Sequence, residues 1–361
     1  MAAPSRVRSM GKAGLVLLSA LLSGAAFEGV LRLAHHRRLR DLEAQRPKRK
    51  PCTRATTDPR LVYELIPGRC GANSHGYLGR EHSLEKPHGM HRIVVVGDSI
   101  AQGDGVAPGE SFGDVLEGLL NAGGEGPFEV IVLARSGYST SQQLVVLERE
   151  AYAYEPDLVV WSYVLNDAAH PIYHNANGEL GLYHHRPRVH ALAWLSRRLF
   201  LAREAWKGRG CRREYHALLH CVYRDQVAAG IRRIGEISKS RRVPALFVIH
   251  PVFEKGAGFE AYSLAAIHDD LKRLASESGI AVLDLLEAYR GNEPAALKRA
   301  DPPGWHDPWH PNAAGHRLAA EALHAALAAK GLATRAGKVT PAAGARPARA
   351  VPAARAGPHA P

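Results

Sequence analysis

The chain has 361 residues, 46% of them hydrophobic, enough for one large domain or two modest ones with a sizeable core. Its net charge of +12 sits at the ends: residues 1–50 carry eleven Lys and Arg against three acids, residues 332–361 carry five against none, and residues 51–331 are left at −1. A nucleic-acid-binding body holds its positive charge on the folded part, so this balance argues against a nucleic-acid partner.

In chain order, Arg6, Arg8 and Lys12 precede a charge-free apolar stretch from Ala13 to Phe27, and the apolar pattern resumes to Leu33 after Glu28 and Arg32 interrupt it. Residues 1–33 therefore read as a signal anchor or a signal peptide. Small residues at Gly24 and Ala26 suit a peptidase, whereas the length favours an uncleaved anchor. Arg32, Arg37, Arg38 and Arg40 rival the upstream cations, so charge does not fix its orientation. Residues 34–57 read as a basic juxtamembrane linker and 58–90 as an extension before the main domain. Cys52, Cys70, Cys211 and Cys221 match no zinc spacing and fall into two sequence-local pairs, which suits disulfides outside the cytoplasm; free thiols are the alternative. Signal and cysteines together predict an envelope-anchored or secreted, extracytoplasmic body.

From residue 91 the pattern alternates. Short apolar runs at 92–97, 128–134, 157–163, 244–250 and 280–285 have the continuous hydrophobicity of strands buried on both faces. Helical stretches separate them. One follows Ser111 and stops at Gly123; one follows Ser139 and Thr140 and runs to Tyr154; one spans 259–278 before Gly279; the last ends at Lys330 and Gly331. Strands alternating with helices predict an α/β fold, a three-layer α/β/α sandwich on a five-stranded parallel sheet of flavodoxin-like type, over residues 91–331. Residues 168–240 are longer than one crossover needs and read as a helical insertion, a candidate lid. Within it Val189, Leu192, Leu195, Leu199, Ala202 and Trp206 form a helical stripe opposite Arg197, Arg198 and Arg203, for which core packing is the default and a lid or membrane-surface helix the alternative. His184 and His185 lie in a polar loop. Residues 332–361 are Ala, Pro, Gly and Arg, a composition that cannot bury a core and predicts disorder.

Ligands of an open parallel sheet bind at the carboxyl ends of its strands. There the sequence places Asp98 and Ser99 after the first strand, Gly137 after the second, Asn166 and Asp167 after the third, and Asp307 and His310 after the fifth. These are the parts of acyl transfer. A serine hydroxyl needs a base, which His310 supplies; Asp307, three residues earlier, accepts the other imidazole N–H and fixes the tautomer. The backbone N–H groups of Ser99 and Gly137 and the Asn166 amide supply an oxyanion hole. Asp98 and Asp167 read as loop-ordering residues. Trp305 and Trp309, flanking the acid and base, suit substrate binding or simple packing. His306, His310 and His316 lack metal-site spacing, so no metal or other cofactor is predicted.

The blocks "VVVGDSI", "RSGYST", "PDLVVWSYVLND" and "DPWHPNAAGH" resemble those of the SGNH hydrolases, the GDSL-like lipases and esterases, over about residues 91–331. The family's four naming residues correspond to Ser99, Gly137, Asn166 and His310. Val164 stands where the third block usually has glycine. "DPRLVYELIPG" and "NSHGYLGREH" resemble the extension of membrane-anchored bacterial relatives. The resemblance implies a serine ester hydrolase acting on small-molecule or glycan esters, with envelope glycan O-acyl groups as the favoured substrates. O-acyl transfer, lipase or thioesterase action, and a noncatalytic glycan-binding or assembly role are the alternatives.

Overall fold

The computed structural model describes residues 4–45, 51–58, 60–123, 126–169, 188–301 and 303–332. Part of the insertion, including His184 and His185, lies outside the described residues, as do 46–50 of the linker and the tail from 333. The elements in order are α1 (Pro4–Gln45), β1 (Thr53–Ala55), β2 (Tyr63–Leu65), β3 (His91–Gly97), α2 (Ser99–Gln102), α3 (Phe112–Ala122), β4 (Phe128–Ala134), α4 (Thr140–Arg149), β5 (Leu158–Val164), α5 (His190–Lys207), α6 (Tyr215–Arg241), β6 (Ala245–His250), α7 (Ala265–Glu277), β7 (Ala281–Asp284), α8 (Leu286–Tyr289), α9 (Pro294–Leu297) and α10 (Ala313–Lys330). Single turns of tighter helix occur at Ala151–Tyr154, Leu165–Ala168 and Phe259–Ala261. The chain divides into two compact units, one containing α1 and α5 and the other the remaining elements.

In the larger unit five strands form one parallel sheet in the order β4-β3-β5-β6-β7. Register follows the apolar runs: Val95 pairs with Val132 on one side and Val160 on the other. Every residue of β5 and β6 is buried, as strands covered on both faces require. The helix pair α3 and α10 packs together, as does the set α4, α6 and α7. The chain leaves β3 for β4 on one side and returns to β5 on the other, which puts the topological switch at the carboxyl ends of β3 and β5.

Local chemistry sets the helix limits. Ser111 caps α3 by accepting the Asp114 N–H (3.2 Å), and Phe112, Leu116 and Leu120 then face the core. Asn312 caps α10 by accepting the Gly315 N–H (3.0 Å), and Gly331 ends it in the left-handed conformation. Two expected helices are shorter than their patterns. The one after Ser139 stops at Arg149, where Glu150 leaves helical geometry (φ −120°, ψ −42°); a separate tight turn, Ala151–Tyr154, follows and ends at the left-handed Glu155. The one expected from residue 259 begins at Ala265, after a separate turn at Phe259–Ala261.

The extension before β3 is part of this unit. β1 and β2 pair antiparallel, and Leu61, Tyr63 and Tyr77 are buried. Arg92, fully buried in β3, donates to the Glu129 carboxylate (2.6 Å) and to the carbonyls of Leu84, Tyr154 and Ser83, holding the extension to the sheet. A Cys52–Cys70 disulfide closes the hairpin region; Cys211 and Cys221 are also disulfide-bonded, and no cysteine is free.

In the smaller unit α1 continues through the basic stretch after Leu33 to Gln45. Its segment Lys12–Asp41 is long and apolar enough to cross a membrane, and none of its most apolar window is buried. The stripe on α5 is solvent-exposed rather than packed: Leu192, Leu195, Leu199 and Trp206 lie on its open side. This corrects the expectation of core packing there.

Candidate active site

The end of β3 answers why a valine run breaks at Gly97. A Cβ at that position would lie 2.7 Å from the Ala101 Cβ and 3.0 Å from both the Cβ and the carbonyl oxygen of Ser162. Only glycine lets β3 run this close to β5 and turn at once into α2. Asp98 caps α2 by accepting the Ile100 N–H (3.0 Å), and its other oxygen accepts the Ser99 hydroxyl (3.1 Å). Asp98 is buried, and burial raises its pKa against the Ile100 N–H, the His310 charge and the Ser99 hydroxyl. Ser99 thus stands at the first residue of a helix, at the switch point of the sheet.

After β4 the chain reaches Gly137 with φ +76°, a left-handed conformation that suits glycine. Its loop is pinned from several directions. The Ser136 N–H donates to Gln102 Oε1 (3.1 Å), the Tyr63 hydroxyl donates to the Ser136 carbonyl, and the Tyr138 hydroxyl donates to the Tyr63 carbonyl (2.5 Å). Sequence reasoning missed Tyr63 and Tyr138; their partners lie some seventy residues apart, and no local pattern connects them.

After β5 come Asn166 and Asp167, both buried. The Asn166 side-chain oxygen has no hydrogen-bond partner. Asp167 accepts the Val164 N–H (3.1 Å), and burial and the nearby Asp98 push its pKa well up. Val164 has φ −124° and ψ 156°, ordinary extended backbone. Valine in place of the usual glycine is therefore no obstacle to the turn.

After β7, Asp307 is fully buried. It faces His310 Nδ1 at 2.8 Å and 3.0 Å through its two oxygens and accepts the backbone N–H of both Trp309 (3.0 Å) and His310 (3.2 Å). Burial alone would raise its pKa, but the hydrogen bonds from His310 and Trp309 outweigh it and hold it at about 2. Arg299 Nη2 lies 2.8 Å from the same carboxylate, a partner that sequence reasoning did not find. With Nδ1 on a carboxylate, the imidazole directs Nε2 away, and that nitrogen is buried with no partner. The Ser99 hydroxyl bonds Asp98 rather than His310 here.

A cavity of about 420 Å³ is lined by residues flanking Asp307 (His306, Pro308 and Trp309) together with Trp305, Tyr215, His216, Phe253, Glu214, Glu254 and Lys255; Ser99, Asp307 and His310 are not among its lining. The two tryptophan rings lie 5.7 Å apart. Trp309 Nε1 donates to His216 Nε2 (3.0 Å), and His216 Nδ1 in turn donates to Glu214 (2.9 Å), which fixes the Trp309 ring as a wall. His306 contacts Asp301 and the Phe253 carbonyl, while His316 accepts the Phe112 N–H, so the three histidines have separate environments. Among the described residues no group of three or more His, Cys, Asp or Glu side chains is arranged to hold a metal ion.

The model of the GDSL-like Lipase/Acylhydrolase family matches residues 95–318. No curated protein matches the chain. Among solved structures it is similar to an acetyl xylan esterase, AlAXEase, at 14% identity over 65% of this chain and 99% of that one, TM-score 0.43. It is similar to Axe2, an acetylxylan esterase from Geobacillus stearothermophilus, at 20% identity over 66% and 94%, TM-score 0.42. It is similar to TesA at 17% identity over 67% and 99%, TM-score 0.41.

Proposed function

The chain belongs to the GDSL-like lipase and acylhydrolase family, and from that premise we propose that it is a serine ester hydrolase working through an acyl-serine intermediate. The observation that carries the reading is the state of His310. Its Nδ1 is fixed on a buried carboxylate and its Nε2 is left without a partner.

Ser99 Oγ attacks the acyl carbonyl while His310 Nε2 takes the hydroxyl proton. Asp307 stabilises the imidazolium that results, and its low pKa keeps it ionised as it does so. The negative charge on the carbonyl oxygen is met by the backbone N–H groups of Ser99 and Gly137 and by the Asn166 amide. Collapse expels the alcohol, protonated by His310. A water, deprotonated by the same nitrogen, then attacks the acyl-serine and releases the acid.

For substrate we propose O-acyl groups, acetyl first, on envelope or extracellular glycans. Trp305 and Trp309 offer faces for a sugar ring, and Glu214, Glu254 and Lys255 in the same cavity offer partners for its hydroxyls. The apolar span in α1 and the disulfides support placing the body outside the cytoplasm, anchored in a membrane. Transfer to a sugar hydroxyl uses the same acyl-enzyme and differs only in the acceptor.

The test is a panel of acetyl and longer-chain esters, with and without glycan acceptors, on the wild type and Ser99→Ala. Acyl released to water supports the hydrolase and acyl appearing on sugar the transferase. Ser99→Ala is expected to lose roughly six decades of kcat. Near-normal turnover by that variant overturns the assignment.

A further inference from the structure

Glu28 and Arg32 interrupt the apolar run of α1, and the structure gives both a purpose. The Glu28 carboxylate accepts the backbone N–H of His190 (3.0 Å) and of Ala191 (2.7 Å), capping the N-terminus of α5 with an anion. Arg32 donates to Glu28 (2.7 Å) and to the Arg188 carbonyl (2.8 Å). One step further, the Phe27 and Trp194 rings meet edge to face at 5.5 Å. Residue numbers fall along α1 while they rise along α5, so α5 leaves this junction heading back towards the apolar half of α1.

The open side of α5 is apolar. Leu192, Leu195, Leu199 and Trp206 are 64%, 46%, 62% and 66% exposed, and their spacing of three, four and seven residues puts them on one face. Arg197, Arg198 and Arg203 are exposed around them, and Arg198 lies over the Trp194 ring at 5.3 Å. Such a stripe stands in a segment capped by a residue of the membrane-length helix itself, on which Leu21 and Leu22 are also exposed.

We propose that the Leu192–Trp206 face of α5 lies in the boundary between head groups and acyl chains of an anionic bilayer, as a second membrane contact beside α1. The leucines and Trp206 enter the acyl region, and the arginines reach back to anionic head groups along their own aliphatic stems. Two helices joined by the Glu28 cap hold the anchor against rotation about its axis, which a lone spanning helix cannot do. The proposal rests on α1 being the membrane anchor.

The wild-type chain has no free cysteine, so a single introduced one can be labelled selectively. The full chain is reconstituted in vesicles of phosphatidylcholine and phosphatidylglycerol, with an environment-sensitive fluorophore at Leu192→Cys, Leu199→Cys, Leu22→Cys on α1, or Glu236→Cys on exposed α6. Quenching by nitroxide-labelled lipid is compared with quenching by aqueous iodide. The expected result is lipid quenching at positions 22, 192 and 199 that exceeds the value at 236 by about twofold or more. If position 22 is lipid-quenched while 192 and 199 are open to iodide, the stripe faces water and the proposal fails with the anchor intact. If 192 and 199 are shielded from both quenchers, a protein surface or a second copy covers them and the proposal fails. If position 22 itself escapes lipid quenching, the anchor reading fails and takes the proposal with it.

Discussion

At the scale of single residues, the reading turns on one ring nitrogen. In the proposed mechanism His310 Nε2 acts as a base only in the tautomer whose proton sits on Nδ1, and the ionised Asp307 carboxylate at Nδ1 favours that tautomer. Asp307→Asn leaves the packing nearly unchanged but offers an N–H where an acceptor is required. Its kcat on any ester the wild type cleaves is expected to fall by about four decades, with KM little changed. Measured kcat within tenfold of wild type would show that the carboxylate does not set the tautomer. These residues were legible from the sequence because they stand three apart just before the final helix and have the residue types that acyl transfer needs. Arg299 was not, because nothing in its own neighbourhood marks it as the partner of Asp307.

At the scale of elements, catalytic positions are consequences of packing. At Gly97 a Cβ would meet Ser162 of β5 at 3.0 Å, and the turn that presents Ser99 depends on that close approach. Gly97→Ala forces its methyl group against Ala101 and Ser162, and is expected to destabilise the fold by about 1–3 kcal/mol. Because the same displacement moves Ser99, kcat should fall beyond what the unfolded fraction explains; denaturant melts and active-site titration of the folded fraction separate the two. The strands were read from sequence to within a residue or two, since burial on both faces leaves an uninterrupted apolar run. The helices were read well at capped ends, as at Ser111 and Gly331. They were over-extended where the apolar pattern runs on from an α-helix into a tighter single turn, as from Arg149 to Tyr154. The α5 stripe shows a different limit: periodicity reports an apolar face but not what covers it.

At the scale of the whole molecule, buried histidines tie stability to pH. His250 lies in β6 with Nε2 3.0 Å from the Ser162 hydroxyl, and burial, then the nearby His316 and His268, lowers its pKa to about 3. Burial, then His310, lowers that of His316 to about 4. Both are neutral when folded, while in the unfolded chain they protonate near 6.5. The unfolded state therefore binds more protons between about pH 6.5 and 4, so stability is whole above that window and declines as pH falls through it. Each histidine contributes about 1.4 kcal/mol per pH unit there. Asp307 adds nothing in that range, since its contribution is lost only as pH falls from its ordinary value towards about 2. Asp98 and Asp167, whose pKa values burial raises, take up protons in the folded state over the same range and oppose this trend. The histidine contribution is therefore read by comparison: the change in urea midpoint from pH 7 to pH 5 is expected to be less negative in His250→Phe than in the wild type, and an identical change would contradict the burial account. The global organisation was only partly legible. The parallel sheet followed from alternation, but the integration of residues 58–90 rests on long-range contacts such as Arg92 with Ser83 and Leu84, and Tyr63 with Ser136. The most direct test of the central claim is covalent capture. A fluorophosphonate probe on the folded protein, read by peptide mass spectrometry, should label Ser99 in the wild type and lose most of that labelling in His310→Ala. An unlabelled Ser99 in folded, wild-type protein, or labelling indifferent to His310, would contradict it.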